Sequence, residues 1–200
     1  MSKTYHHGDL KAAAVAKAVE IIQKKGEVDF TLREIAQGLK VSHTAVYRHF
    51  SSKQDLLSHI AEEGFVSFTE RMNREVGEAR SLRQKLRSAG RAYIRFALDN
   101  PGHYRSMFHQ ELRCMKEQRP EFLQASYDAF LTLLEIVTEG IKEQVFKKED
   151  PLNISRFIWA SIHGFSVLLL DGQFESLQKP SAIAEGIEGH LSFIERAVLK

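Results

Sequence analysis

Residues 31–50, Thr31-Leu32-Arg33-Glu34-Ile35-Ala36-Gln37-Gly38-Leu39-Lys40-Val41-Ser42-His43-Thr44-Ala45-Val46-Tyr47-Arg48-His49-Phe50, read as two short helices joined by a tight turn. Thr31 and Glu34 have the spacing of a capping box that opens the first helix, and Ser42 is placed to cap the second. Leu32, Ile35, Ala36, Leu39, Val41, Val46 and Phe50 are spaced to pack the pair on a common core. That leaves His43, Thr44, Tyr47 and Arg48 facing outward. A helix presenting such groups near its N-terminus suits base edges and phosphates in the major groove of duplex DNA.

Around this stretch the apolar residues recur at intervals of three and four, and no segment alternates as a half-buried strand would. The expected fold is all-α, with nine helices. The first runs from Asp9 to Lys25 and stops at Gly26, where glycine favours a left-handed cap. The paired helices occupy 32–39 and 43–49. A fourth begins after Ser52, with Asp55 completing a second capping box, and carries Leu56, Ile60, Phe65, Phe68 and Met72 inward. Proline, tolerated in a first turn and costly inside a helix, sets later starts at Pro101, Pro120, Pro151 and Pro180. Helices five to nine are expected at 81–99, 101–115, 120–147, 151–171 and 181–198. The division expected is a DNA-reading head over 1–55 and a helical body over 56–200, which the fourth helix joins without a flexible linker.

The chain has 200 residues, 43% of them hydrophobic, enough for a substantial core. Its formal net charge is only +2, so charge must be read by region. Residues 1–60 hold nine Lys and Arg against six Asp and Glu, with five His, and the remainder is close to neutral. The basic bias therefore lies with the paired helices. Cys114 is the sole cysteine, which excludes an intrachain disulfide and reads as a small buried hydrophobe. No uninterrupted apolar run has the length of a membrane span, and the start lacks a signal core. A cytoplasmic protein without membrane association is the expectation.

At this point the chain resembles the tetracycline-repressor (TetR) family of bacterial regulators. The match runs from Leu10 to Phe65 and is densest in Thr31–Ala36 and in Val41-Ser42-His43-Thr44-Ala45-Val46-Tyr47-Arg48-His49-Phe50-Ser51-Ser52-Lys53. Asn100-Pro101-Gly102-His103-Tyr104 and Trp159-Ala160-Ser161-Ile162-His163-Gly164 are similar to a tryptophan-histidine-glycine type of effector domain. The resemblance implies a homodimer on a partly palindromic double-stranded operator, released when a small molecule in the body changes the spacing of the heads. It departs at Lys40, where the family usually has glycine; Gly38 comes two residues early. A left-handed Lys40 would cost about 1–2 kcal/mol.

Carried over residue by residue, the family pattern implies that Ser42, Tyr47 and Lys53 contact phosphates, with Thr31 and Arg33 approaching from the preceding helix; such contacts set register. His43, Thr44 and Arg48 are the candidates for base edges, since arginine grips the two acceptors of guanine and a threonine methyl meets that of thymine. His49 joins the DNA-binding set or is structural, bonded near the fourth helix. His6 and His7 precede the first helix; an adjacent pair without a further ligand does not make a metal site.

In the last helix Ile187, Leu191 and Ile194 form a seam, with Ala184, Gly186 and Gly189 allowing close approach. With Ile158, Ile162 and Phe165 they are expected at a two-fold four-helix interface, the alternative being packing within one subunit. Phe96, Tyr104, Met107, Phe108, Tyr127, Phe130, Trp159 and His163 are expected to line a cavity for an apolar or aromatic effector, the alternative being plain core. His163 and Gly164 have structural readings too, a bonded core residue and a point of close helix packing. No cofactor is expected.

Enzyme chemistry finds little support: there is no glycine-rich phosphate loop, nucleophile elbow or metal-spaced cluster, and Cys114 and His109 are five apart and share no helix face. A DNA-binding protein controlled by a protein partner, or acting in chromosome organisation without a small effector, is the other reading.

Overall fold

The computed structural model describes residues 10–115 and 119–200, without the side chains of 114 and 115. His6, His7 and the reading of Cys114 lie outside the described residues. Within them the chain is all-α: α1 Leu10–Lys25, α2 Leu32–Gly38, α3 His43–Tyr47, α4 Lys53–Gly77, α5 Leu82–Asp99, α6 Pro101–Met107, α7 Pro120–Lys142, α8 Pro151–Leu170 and α9 Pro180–Val198. A 3-10 turn at Gln110–Met115 follows α6.

Two compact units divide the chain, and they do not follow its linear order. The first comprises Met1–Phe65 with Pro101–Ala125, the second Val66–Asn100 with Ser126–Lys200. In the first, α1 packs on α2, α3 and α6. Gly102 lets α6 come close to α1, since a Cβ there would lie 2.7 Å from the Val19 carbonyl oxygen. The core of this unit holds Ile22, Phe30, Ile35, Val46, Phe50, Leu56 and Ile60, each nearly inaccessible to solvent. Buried Ser58 and Ser106 return their hydroxyl protons to the Asp55 and Gly102 carbonyls, so neither leaves a polar group unmet.

In the second unit α5 packs on α8 and α9, which also touch each other. Ile94, Ile158, Ile162, Ile187, Leu191 and Ile194 fill the space between them. A charged ladder runs along α5 and α9. Arg91 Nε donates to Glu188 at 2.7 Å, and Arg83 Nη2 donates to buried Glu195 at 3.0 Å. Arg87 Nε lies 3.1 Å from the other Glu195 oxygen, off the line of a hydrogen bond, so that contact is Coulombic only. The Arg91 guanidinium holds the Glu188 carboxyl below its usual range.

Helix ends explain the departures from expectation. Lys40 has φ 56°, the left-handed conformation, and the turn around it is a Schellman motif: Val41 N–H donates to the Ala36 carbonyl and Lys40 N–H to that of Gln37. The same device ends α7 at Lys142 instead of 147. Gln144 has φ 59°, and Val145 N–H donates to the Gly140 carbonyl. The chain then reverses so that buried Phe146 lies over Gly140 and forms an isolated β-bridge with Leu199. The sixth helix stops at Met107, not 115, because the backbone tightens into three-residue turns, with His109 N–H donating to Ser106 and Leu112 N–H to His109. The second capping box is displaced. Asp55 N–H donates to Ser52 Oγ, but its carboxylate accepts from Ser51, one residue earlier.

Helix α8, 20 residues long, is long and apolar enough to cross a membrane by length and composition alone. It reaches that length only with Asn153, Ser155, Arg156, Ser161, His163 and Ser166 counted in its interior.

The strain at Lys40 is testable. Lys40→Gly should raise the unfolding free energy by roughly 0.5–1 kcal/mol, the relieved left-handed cost less the extra chain entropy of glycine. Urea titration of both proteins measures it; a loss of stability would show that the turn tolerates lysine without strain.

Candidate nucleic-acid interface

Helix α3 has five residues, too few to persist alone, and its position is set by what it buries. Val46 and Phe50 are fully buried and hold it against α1 and α2. With that side fixed, His43, Thr44, Tyr47, Arg48 and His49 all project to solvent, and Tyr47 is 51% exposed despite its ring.

The caps do double service. Ser42 Oγ accepts the Ala45 N–H at 3.2 Å, and Thr31 Oγ1 accepts the Glu34 N–H at 3.1 Å. Each hydroxyl uses a lone pair on its helix and keeps its proton to donate outward, which is what a phosphate oxygen accepts. The Glu34 carboxylate completes the first cap by accepting from Thr31 N–H at 2.7 Å. That backbone bond holds its carboxyl below the ordinary range. Arg33 is exposed on α2 beside this cap.

Lys53 is placed differently. It opens α4, half-buried, with Nζ 3.0 Å from Glu111 Oε1, 3.3 Å from the Val28 carbonyl oxygen and 5.6 Å from the centre of the Phe30 ring. Sequence reasoning missed Glu111, whose only signal is structural: the 3-10 turn carries it back across the start of α4.

The residues expected at an effector cavity fall into two groups. In the first unit Tyr104 and Met107 are buried, and the Phe108 ring meets the edges of Phe65 and Tyr104. In the second, Trp159 meets Phe130 at 6.0 Å and His163 at 6.2 Å between ring centres, and Tyr93 Oη is hydrogen-bonded to His163 Nδ1 at 2.9 Å. Burial lowers the His163 pKa. Phe96 is buried beside Phe68. Tyr127 and Trp159 are exposed, at 58% and 39%.

The residues expected at the subunit interface pack mainly within one chain. Ile158, Ile162, Ile187, Leu191 and Ile194 are 0–5% exposed within a single chain, and Phe165 stacks on His190 at 4.3 Å and packs against Phe174. They tie α8 and α9 into their own unit, with Phe165 half-buried. Both helices are apolar on more than one side, and spacing alone does not tell the inner side from the outer. The outer side carries Phe157, Leu168 and Phe193, the last 68% exposed. Gly164 and Gly189 face open space there, so neither marks close packing within the chain. Among the described residues no three His, Cys, Asp or Glu side chains converge to hold a metal.

Comparison with known proteins agrees with this geometry. Residues 14–60, spanning the paired helices, match the description of bacterial regulatory proteins of the tetR family, and residues 86–190 match a tetracyclin repressor-like C-terminal domain. The chain is 25% identical over 161 residues to the uncharacterized HTH-type transcriptional regulator YobS of Bacillus subtilis, covering 80% of this chain and 79% of that one. It is 26% identical over 141 residues to the fatty acid metabolism regulator protein of the same organism, covering 70% and 72%. Its fold superposes on a tetR-family regulatory protein from Rhodococcus RHA1 with a TM-score of 0.74 at 24% identity, over 97% and 98% of the two chains. With more than half of its length matched by the C-terminal domain and its reading helix within the N-terminal match, the chain belongs to the TetR family of DNA-binding transcriptional regulators.

Proposed function

We propose that this regulator is a cytoplasmic repressor that binds a palindromic operator as a homodimer and leaves it when an apolar small molecule binds its second unit. The observation that carries the reading is the outward row of His43, Thr44, Tyr47 and Arg48 on a helix pinned from behind by Val46 and Phe50. In this reading His43, Thr44 and Arg48 meet base edges, while Ser42, Tyr47, Lys53, Thr31 and Arg33 hold phosphates and His49 lies at the margin of the contact.

Two-fold operators call for two-fold proteins. The exposed side of α8 and α9, with Phe157, Leu168 and Phe193 beside the open Gly164 and Gly189, is the surface suited to a second copy. Large side chains beside glycines allow helices from two subunits to interlock.

The effector reading rests on Phe130, Trp159 and His163, joined by Tyr93, which set a hydrogen-bonded pair beside two aromatic rings. Likeness to a fatty acid metabolism regulator supports an acyl chain as the apolar ligand. The protein acts by binding and releasing, without turnover. Control by a protein partner is the competing reading; it would give many genomic sites and no response to acyl compounds.

Footprinting on the DNA flanking its own gene should reveal one or two palindromes. On that operator His43→Ala should lose about 1–3 kcal/mol of discrimination at one position, whereas Tyr47→Phe should weaken all sequences alike. Unchanged affinity in both would remove α3 as the reading helix. A fatty acid or its thioester should weaken operator binding by about tenfold to a hundredfold, with the operator weakening acyl binding by the same factor, and Trp159→Ala should blunt both effects. Equal acyl affinity with and without operator would refute ligand release.

A further inference from the structure

Of the residues assigned to phosphates, Lys53 carries a full charge that already has a partner inside its own unit. Glu111 Oε1 lies 3.0 Å from its ammonium, and the other carboxylate oxygen accepts from Gln54 Nε2 at 3.1 Å. One carboxylate thus bridges the first two residues of α4. A second side chain reaches the same helix. Arg119, at the far end of the same connection, reaches Glu62 Oε2 at 2.6 Å and Asp55 Oδ1 at 3.3 Å, and donates to Ser58 Oγ at 3.2 Å. Glu111 and Arg119 thus each reach the first turns of α4.

We propose that Glu111 is an internal competitor of the DNA phosphate for Lys53, a built-in brake on operator affinity. The inference rests on reading Lys53 as a phosphate contact. A carboxylate and a phosphate oxygen offer an ammonium the same kind of partner. For Lys53 to grip the backbone, its Nζ must leave Glu111, and the carboxylate then loses that cation while it faces a polyanion. The exchange of one anionic partner for another gains little, and it releases fewer counterions than a lysine arriving unpaired. Displacement of the 3-10 turn would free the lysine and tighten the complex.

The test uses the full-length protein and the footprinted operator duplex, with affinity followed by fluorescence anisotropy across a salt series. Glu111→Gln should bind about fivefold tighter at moderate salt, and the slope of log affinity against log salt should steepen by about one. Glu111→Asp keeps the charge but shortens the reach, and should give part of the same gain; thermal melts confirm that each variant is folded. Lys53→Gln, alone and combined with Glu111→Gln, closes the cycle. The brake predicts that the gain from Glu111→Gln disappears when Lys53 is absent. An equal gain with and without Lys53 would reduce Glu111 to a distant negative charge and overturn the proposal. Weaker binding by Glu111→Gln would also overturn it, making Glu111 a support that positions Lys53 for DNA. If Lys53→Gln alone leaves affinity and salt slope unchanged, the phosphate reading of Lys53 is what has failed, and the brake falls with it.

Discussion

The burial of Val46 and Phe50 behind α3 is the constraint on which the DNA-reading surface depends, since a helix of five residues does not form in water by itself. Fully burying two such side chains contributes about 1.5–3 kcal/mol each. The Ser42 cap adds roughly 1 kcal/mol. These interactions lie on the inner side and at the entry of the helix, so the outer side is free to carry chemistry with no packing role. Arginine, histidine, threonine and an exposed tyrosine occupy that side.

The same division of labour explains which parts of the molecule were legible in the sequence. Helix starts were, because a cap or a proline is a local chemical event: Thr31 with Glu34, Ser42, Pro101, Pro120, Pro151 and Pro180 all stand at or beside observed starts. Helix ends were less so. Gly26 announces its left-handed cap, while Gln144 adopts the same conformation without glycine and was invisible, since the return of Phe146 onto Gly140 that fixes it is a tertiary contact. Lys40 falls between the two: a glycine is usual at this place in the family, and the closed turn between α2 and α3 fixes the lysine in the left-handed conformation.

Surface function divided similarly. The outward row on α3 followed from a strong periodicity in which every inward position is apolar. On α8 and α9 that logic broke down, since Phe157 and Ile158 are adjacent and both apolar, one half-exposed and the other buried. Which of the two faces inward is decided by α5, distant in sequence and joined to α9 through the Arg83, Arg87 and Arg91 ladder. Glu111 was out of reach for the same reason. Its role arises only when the turn after α6 folds back upon α4.

The central claim is that the outer row of α3 enters the major groove, and methylation interference tests it most directly. Operator duplex lightly methylated by dimethyl sulfate carries methyl groups on guanine N7 in the major groove and on adenine N3 in the minor groove. The account predicts that N7-methylated guanines within each half-site are depleted from the protein-bound fraction. Depletion confined to adenine N3, or none at either position, would contradict it.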